Sequence, residues 1–292
     1  ITVFGARESH VSAHDVSPEE RERVFEEAWA EGGGFRFMFG TFNDLIADET
    51  ANGYAQEFIR SKIRQIVKDP AKAEKLLPKD LYAKRPLCDA GYYEQFNRDN
   101  VDVVDVRANP IARVEGNAVI LEDGERRELD MLILATGFDA GDVNYLRIKM
   151  EGAGGSVIQD QWKDGARTFL GIMTDNFPNM FMVNAPGVPF ANQPPAIELQ
   201  VDMIAELIEE TRDRDATVIE VKKSAVTMWF DICLELTNST ILPKSQSWIL
   251  GANIPGKPLS LNFYMGGYSK YKDVLQDIRS EGYREFSFNG QE

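Results

Sequence analysis

Apolar residues fall along this chain in two patterns. At helical spacing stand Val24, Phe25, Ala28 and Trp29; then Tyr54, Phe58, Ile63, Ile66 and Val67; then Ile197, Val201, Ile204 and Ile208. Each set puts one apolar stripe on a helix face, and a further helix is expected over residues 222–236. Ser17 caps the first of these, with Pro18 at its first position and Glu20 placed to reach back as a capping box. Gly32, Gly33 and Gly34 stop it. The second helix, from about 50 to 68, ends before Pro70.

The other pattern is the unbroken run Met131, Leu132, Ile133 and Leu134, which is how a strand buried on both faces of a parallel sheet reads. Ala135, Thr136 and Gly137 follow, small enough to admit a flat cofactor or another backbone. Ligands of open α/β sheets collect beyond the carboxyl ends of strands, so this stretch reads as the floor of a nucleotide site. Strands are also expected at 1–4, 101–106, 118–121 and 180–183, with a turn at Glu122-Asp-Gly-Glu125. Residues 16–80 read as mostly helical, and the four phenylalanines of 35–42 as packing. The whole is an α/β chain.

Composition narrows the function. The 292 residues allow one large or two modest domains, and 43% hydrophobic with 27% charged residues describe a globular protein with a real core. A net charge of −15 disfavours nucleic acid and anionic membranes as partners. Two cysteines, Cys88 and Cys233, make no disulfide framework, which suits the cytoplasm. No apolar run approaches the ~18 residues of a membrane span. The first residues, Ile1-Thr-Val-Phe4, lack an initiator Met, and the expectation is a fragment of a longer polypeptide.

Few motifs carry chemistry on their own. Gly152-Ala-Gly154-Gly155 lacks a glycine at its sixth position, Val157, and reads as a turn. His10 and His14 are the only histidines, too few for a metal site without other ligands. The loop at 82–96 holds Lys84 and Arg85 before Pro86. A guanidinium is permanently cationic and presents a fork of donors, so Arg85 suits a developing oxyanion or a phosphate, or else stands solvated or ion-paired. Near 190–198, an apolar run, a tight loop and the paired prolines Pro194-Pro195 present a helix N-terminus to an electron-rich ligand.

Several of these pieces stand in one order: Lys84-Arg-Pro-Leu-Cys-Asp89, Gly91-Tyr-Tyr-Glu94, Phe96-Asn-Arg-Asp-Asn100, Leu134-Ala-Thr-Gly-Phe-Asp139, Pro178-Asn-Met-Phe181, Asn192-Gln-Pro-Pro-Ala-Ile-Glu198 and Ser247-Trp-Ile-Leu-Gly-Ala-Asn-Ile-Pro-Gly-Lys257. Over residues 16–275 the chain resembles the C-terminal half of a flavin-dependent Baeyer–Villiger monooxygenase of the cyclohexanone monooxygenase type. That resemblance implies a Rossmann-like flavoprotein with two dinucleotide-binding domains. Residues 1–15 and 89–137 would belong to the NADPH-binding domain, 16–88 to a helical insertion, and 138–292 to the FAD-binding domain.

It further implies that NADPH reduces FAD and that O2 then gives a C4a-peroxyflavin, which attacks a ketone to yield an ester or lactone. Arg85 would be the catalytic arginine that stabilises the peroxide anion. Lys84 would contact NADP, Ala135, Thr136 and Gly137 would line the cofactor site, and Asn192 and Gln193 would lie beside the flavin ring. Trp248 would close over NADP from a mobile loop whose glycines, Gly251 and Gly256, allow it to order.

The chain departs from the family in lacking both Gly-x-Gly-x-x-Gly motifs, the Phe-x-Gly-x-x-x-His-x-x-x-Trp-Pro fingerprint and an N-terminal aspartate that accompanies the arginine. The missing N-terminal half is therefore the expected partner, and this chain alone is expected to bind FAD poorly. The alternatives are a truncated, flavin-free binding or subunit protein, and a non-oxidative isomerase or lyase built around Arg85.

Overall fold

A computed structural model describes the chain except residues 1, 4, 5, 8, 9, 88, 139, 140, 253, 255 and 290–292. It divides into two compact units, one of residues Ile1–Gly53, Asp80–Pro86 and Asp139–Glu292, the other of Tyr54–Lys79 and Leu87–Phe138.

In chain order, β1 (Thr2–Val3) and β2 (Ala6–Arg7) pair antiparallel. Helix α1 (Pro18–Glu31) starts where Ser17 accepts the Glu20 amide at 3.2 Å and ends at Gly32, φ 76°. The expected reciprocal cap is replaced: the Glu20 carboxylate meets Arg23 at 2.6 Å. Helix α2 (Gly34–Gly40) carries three of the four phenylalanines, and Phe37 stacks on Phe25 at 5.1 Å. Helices α3 (Glu49–Ile66) and α4 (Pro70–Leu76) follow, the latter capped by Asp69 through the Ala71 amide at 2.8 Å.

Strands β3 (Ile111–Glu115), β4 (Ala118–Leu121) and β5 (Arg126–Glu128) form an antiparallel sheet with β4 in the middle and wholly buried. Gly124, at φ 89°, turns the chain between β4 and β5. In this unit Ile63, Val67, Ala73 and Phe96 form the core.

Two expected strands are absent there. Residues 101–106 form no ladder; Lys72 Nζ donates to Val101 O at 2.6 Å and Lys75 Nζ to Val103 O at 3.2 Å. The expected two-face-buried strand at 131–134 is also overturned. Met131, Leu132, Ile133 and Leu134 are exposed (Ile133 at 76%) and belong to no strand. A strand needs neighbours for its backbone hydrogen bonds, and no strand among the described residues pairs with this run.

The rest of the first unit comprises α5 (Val143–Leu146), α6 (Ile158–Gln161), β6 (Val188–Pro189), α7 (Gln193–Asp213), β7 (Ile219–Val221), α8 (Lys223–Asn238), β8 (Phe263–Tyr264), α9 (Gly267–Ser280) and β9 (Phe286–Phe288). β6 and β8 pair parallel, β7 and β9 antiparallel. Residues 180–183 are not the expected strand; the Met182 amide reaches Ile172 O at 2.8 Å as a single bond. Trp229, Tyr264, Tyr271, Met203 and Leu207 centre the core.

Candidate functional site

Arg85 sits on a segment fixed by a buried asparagine. Asn52 Oδ1 accepts the Tyr82 amide at 2.9 Å, while its Nδ2 donates to Tyr82 O at 2.9 Å and to Leu45 O at 2.8 Å. A fully buried amide with all these partners holds residues 80–86 rigidly to the start of α3. The Tyr82 hydroxyl donates to Gly34 O at 3.2 Å and its ring lies edge-on to Phe37. Lys84 is half-buried and pairs with Asp80 at 2.5 Å. Arg85 is exposed, with its guanidinium 5.5 Å from the centre of the Phe35 ring, within cation–π range.

A second loop reaches the same place. The Phe190 amide donates to Tyr264 O at 3.0 Å, continuing the β6–β8 pairing. Gly171 and Gly187 allow the tight course before it: a Cβ on Gly171 would lie 2.4 Å from Val188 Cγ1, and one on Gly187 would lie 3.0 Å from Trp229 Nε1. The Phe190 ring contacts Phe35 and Phe39 at 6.4 Å each and Phe263 at 5.2 Å. Asn192 is exposed at the N-terminus of α7 and makes no side-chain cap. Gln193 Nε2 donates to Ala191 O at 3.2 Å, and its Oε1 is buried with no partner among the described residues.

Trp248 opens a single 3₁₀ turn (Trp248–Leu250) that closes on Gly251 in the left-handed region. Ser247 accepts the Ile249 amide at 3.3 Å, and Asn262 Nδ2 donates to Trp248 O at 3.2 Å. The indole meets Phe263 edge-on at 5.7 Å. An unbroken series of aromatic contacts thus runs from Arg85 through Phe35, Phe190 and Phe263 to Trp248.

Of the expected site residues, Lys84, Arg85, Asn192, Gln193 and Trp248 belong to the first unit, and Ala135, Thr136 and Gly137 to the second. The last three are exposed; the Ala135 amide reaches back to Ile133 O at 3.2 Å, and Gly137 has φ 92°. Sequence reasoning missed Asn52, Phe190 and Phe263 as site residues, and took Phe35 for packing. The aromatic content of 35–42 was a signal, but only contact distances show that Phe35 supports the arginine.

Met38, Phe39, Lys84, Arg85, Phe190 and Met265 help line a crevice whose free interior is about 10 Å³, the room of one water. Its walls are largely apolar, with the Lys84 ammonium, paired to Asp80, and the Arg85 guanidinium among the lining. Elsewhere, His14 Nε2 meets Asp48 at 2.9 Å. Among the described residues no cluster of three metal-ligating side chains exists and no helix is long and apolar enough to cross a membrane.

No family model matches the chain. It is 51% identical over 283 residues to cyclohexanone 1,2-monooxygenase of Acinetobacter sp., and 47% identical over 282 residues to phenazine N-monooxygenase PhzNO1 of Lysobacter antibioticus. In both comparisons 97% of this chain is covered but 52% of the relative, so the chain spans about half the length of the curated relatives it matches. Cyclohexanone monooxygenase from Rhodococcus sp. Phi1, solved bound to NADP+, superposes with a TM-score of 0.96 at 48% identity, over 99% of this chain and 55% of that one. The crystal structure of OTEMO with FAD and NADP superposes at 0.90 and 30% identity, over 98% of this chain and 54% of that one. The fold is therefore that of a portion of an α/β flavoprotein, and the chain is similar, over nearly all its length, to the C-terminal half of Baeyer–Villiger monooxygenases of the cyclohexanone monooxygenase type.

Proposed function

We propose that the polypeptide to which this chain belongs is an FAD- and NADPH-dependent monooxygenase that inserts one oxygen atom of O2 next to a ketone carbonyl, giving an ester or lactone. The observation that carries this reading is Arg85 held over Phe35 beside the Phe190–Gln193 loop, in a chain half identical to cyclohexanone 1,2-monooxygenase.

The residues fit a flavin on their own chemistry. Gln193 Oε1 is a buried acceptor without a donor, which a flavin N–H would satisfy, and such an orphan otherwise costs about 1–3 kcal/mol. When bound, FAD supplies the activation of O2. Arg85 contributes the positive charge of a guanidinium, so it stabilises an anionic oxygen species without donating a proton to it. Phe35 keeps that guanidinium in place through its ring face. Phe39 and Phe190 fill the crevice, so a ring-sized ketone enters only as those side chains shift. Lys84 would contact NADP, and Trp248 would cover it. In this reading residues 89–137 serve the NADPH-binding domain and 138–292 the FAD-binding domain, at work in the cytoplasm. The exposed Met131, Leu132, Ile133, Leu134 and Phe138 are surface for the N-terminal half, which is absent from this chain.

The test is a chimera joining this chain to the portion of Acinetobacter cyclohexanone 1,2-monooxygenase that it does not match. Lactone formation from cyclohexanone, dependent on NADPH and O2, is the expected result, with an R85A chimera that still binds FAD losing at least ~100-fold in product, the scale of removing one charge-stabilising donor. A chimera that binds FAD yet makes equal lactone with R85A would refute the role. One that oxidises aromatic nitrogen and no ketone would assign the activity named for the Lysobacter relative instead.

A further inference from the structure

The turn at 169–172 is strained, and it stands behind the loop that leads to Gln193. Leu170 is fully buried with φ 58°, Gly171 follows at φ 70°, and the Ile172 amide closes the turn on Phe169 O at 3.0 Å. Turns with positive φ at both central residues are the place of Asn-Gly or Gly-Gly, because a Cβ crowds the backbone there. A bulky apolar residue holds that conformation only where its surroundings impose it, and such imposed conformations gather at functional sites.

Two buried side chains impose it. The Tyr271 hydroxyl, from α9, donates to Leu170 O at 2.8 Å, and Gln200 Nε2, from α7, reaches the same oxygen at 3.5 Å. Burial pushes the Tyr271 hydroxyl above its ordinary 10.0, so it keeps the proton it donates. Gln200 is 1% exposed, on the face of α7 that buries Ala196, Met203 and Leu207. Its Oε1 accepts the Asn184 amide at 2.9 Å, so one amide group joins the turn, the loop and the helix that opens at Gln193.

From the turn, bonds continue into the loop. Gly171 O accepts the Ala185 amide at 3.3 Å and Ile172 O the Met182 amide at 2.8 Å. The Thr168 hydroxyl donates to Pro186 O and accepts the Gly171 amide at 3.1 Å. Tyr271 and Gln200 are not among the side chains lining the crevice, so they act on it through this loop.

We propose that Tyr271 and Gln200 are positioning residues: they hold Leu170 in its left-handed conformation, and through that turn they set the 184–190 loop that delivers Gln193. What Gln193 is delivered to rests on the function proposed above; the hold itself does not.

Hydrogen exchange of the 292-residue chain reads the hold without any cofactor. The Tyr271 hydroxyl bonds Leu170 O and not the loop, yet in Y271F the Met182 and Ala185 amides are expected to exchange about tenfold faster, the scale of one buried hydrogen bond, with the α8 amides unchanged. Glycine holds a positive φ unaided, so in an L170G background Y271F is expected to leave those amides unaltered. Should L170G not fold, Q200M, which loses the second donor to Leu170 O, is expected to accelerate the same two amides. In the FAD-binding chimera, Y271F is expected to weaken FAD about fivefold and to add nothing once Q193L is present, whereas a role confined to stability would weaken FAD equally in both. Unmoved Met182 and Ala185 amides, an acceleration that includes α8, or an undiminished Y271F effect beside Q193L would overturn the proposal. A parent chimera that takes up no FAD counts against the flavin reading alone, because the exchange result still decides the hold.

Discussion

Trp229 offers the sharpest measurement of how the core fixes the loop that carries Gln193. Its ring is buried, stacks on Tyr264 at 4.8 Å, and donates from Nε1 to Gly187 O at 3.1 Å. Replacing it by phenylalanine keeps one aromatic ring but strands the Gly187 carbonyl, at about 1–3 kcal/mol. The second ring leaves a partly collapsed void, worth about another 1–2 kcal/mol. W229F should therefore lower the unfolding free energy by ~2–5 kcal/mol in urea titrations followed by circular dichroism. Gly187 supplies the internal control. It has φ 91°, and an added Cβ would sit 3.0 Å from Nε1 and 3.3 Å from Thr168 Oγ1. G187A is thus strained in backbone and crowded by the indole, and W229F removes part of that crowding. The two substitutions should couple, the double variant being less destabilised than the sum by ~1 kcal/mol. A W229F cost under ~0.5 kcal/mol, or strictly additive effects, would show that the contact does not hold the loop.

Two smaller predictions follow from local geometry. S17A removes the acceptor of the Glu20 amide and should destabilise by ~1 kcal/mol, whereas E20Q, which touches only the exposed Arg23 bridge, should leave the unfolding transition in place; equal effects in thermal unfolding would contradict the one-sided cap. Burial pushes the Cys233 thiol from its ordinary 9.0 up to about 12. The folded state then prefers the protonated form: its stability is undiminished below about 9, where both states hold the proton, and falls as pH climbs from 9 towards 12. In a C88S background Cys233 should resist a thiol reagent at pH 8 and react at once in urea, and fast labelling of the native protein would refute this.

The helices were readable because each writes its own evidence locally. Ser17-Pro18 marks a start, and helical spacing marks the faces of α1, α3 and α7, whereas Asp69-Pro70 was read only as the end of α3 although it also opens α4. α9 went unread although Tyr271, Leu275 and Ile278 repeat at helical spacing, because it opens at Gly266 with no side-chain cap and follows a glycine- and proline-rich stretch. β7 and β9 are three residues each and separated by 64 positions, so no short-range pattern announces their pairing. The site divides in the same way. Arg85 was singled out as a guanidinium before a proline and Gln193 came only with the family resemblance, while Asn52, thirty positions from Tyr82, acts through hydrogen bonds that only folding brings together.

The run Met131, Leu132, Ile133 and Leu134 shows why the remaining expectation failed. Four consecutive apolar side chains do report an environment that is dry on both faces, and that inference concerns composition alone. A strand, however, is a relation between neighbours, and its backbone donors and acceptors need partners that the run itself does not encode. In this chain the adjacent β5 stops at Glu128, and the run beyond it lies exposed, Phe138 completely so. Soluble proteins rarely leave several large apolar side chains exposed together along one stretch without a use for them. The Acinetobacter relative is about twice as long as this chain, and the two are 51% identical over 283 residues. Under the proposed function that run would be the surface on which the unmatched half of the polypeptide packs, and Arg85, exposed beside an apolar crevice, would form one side of a site which that half completes.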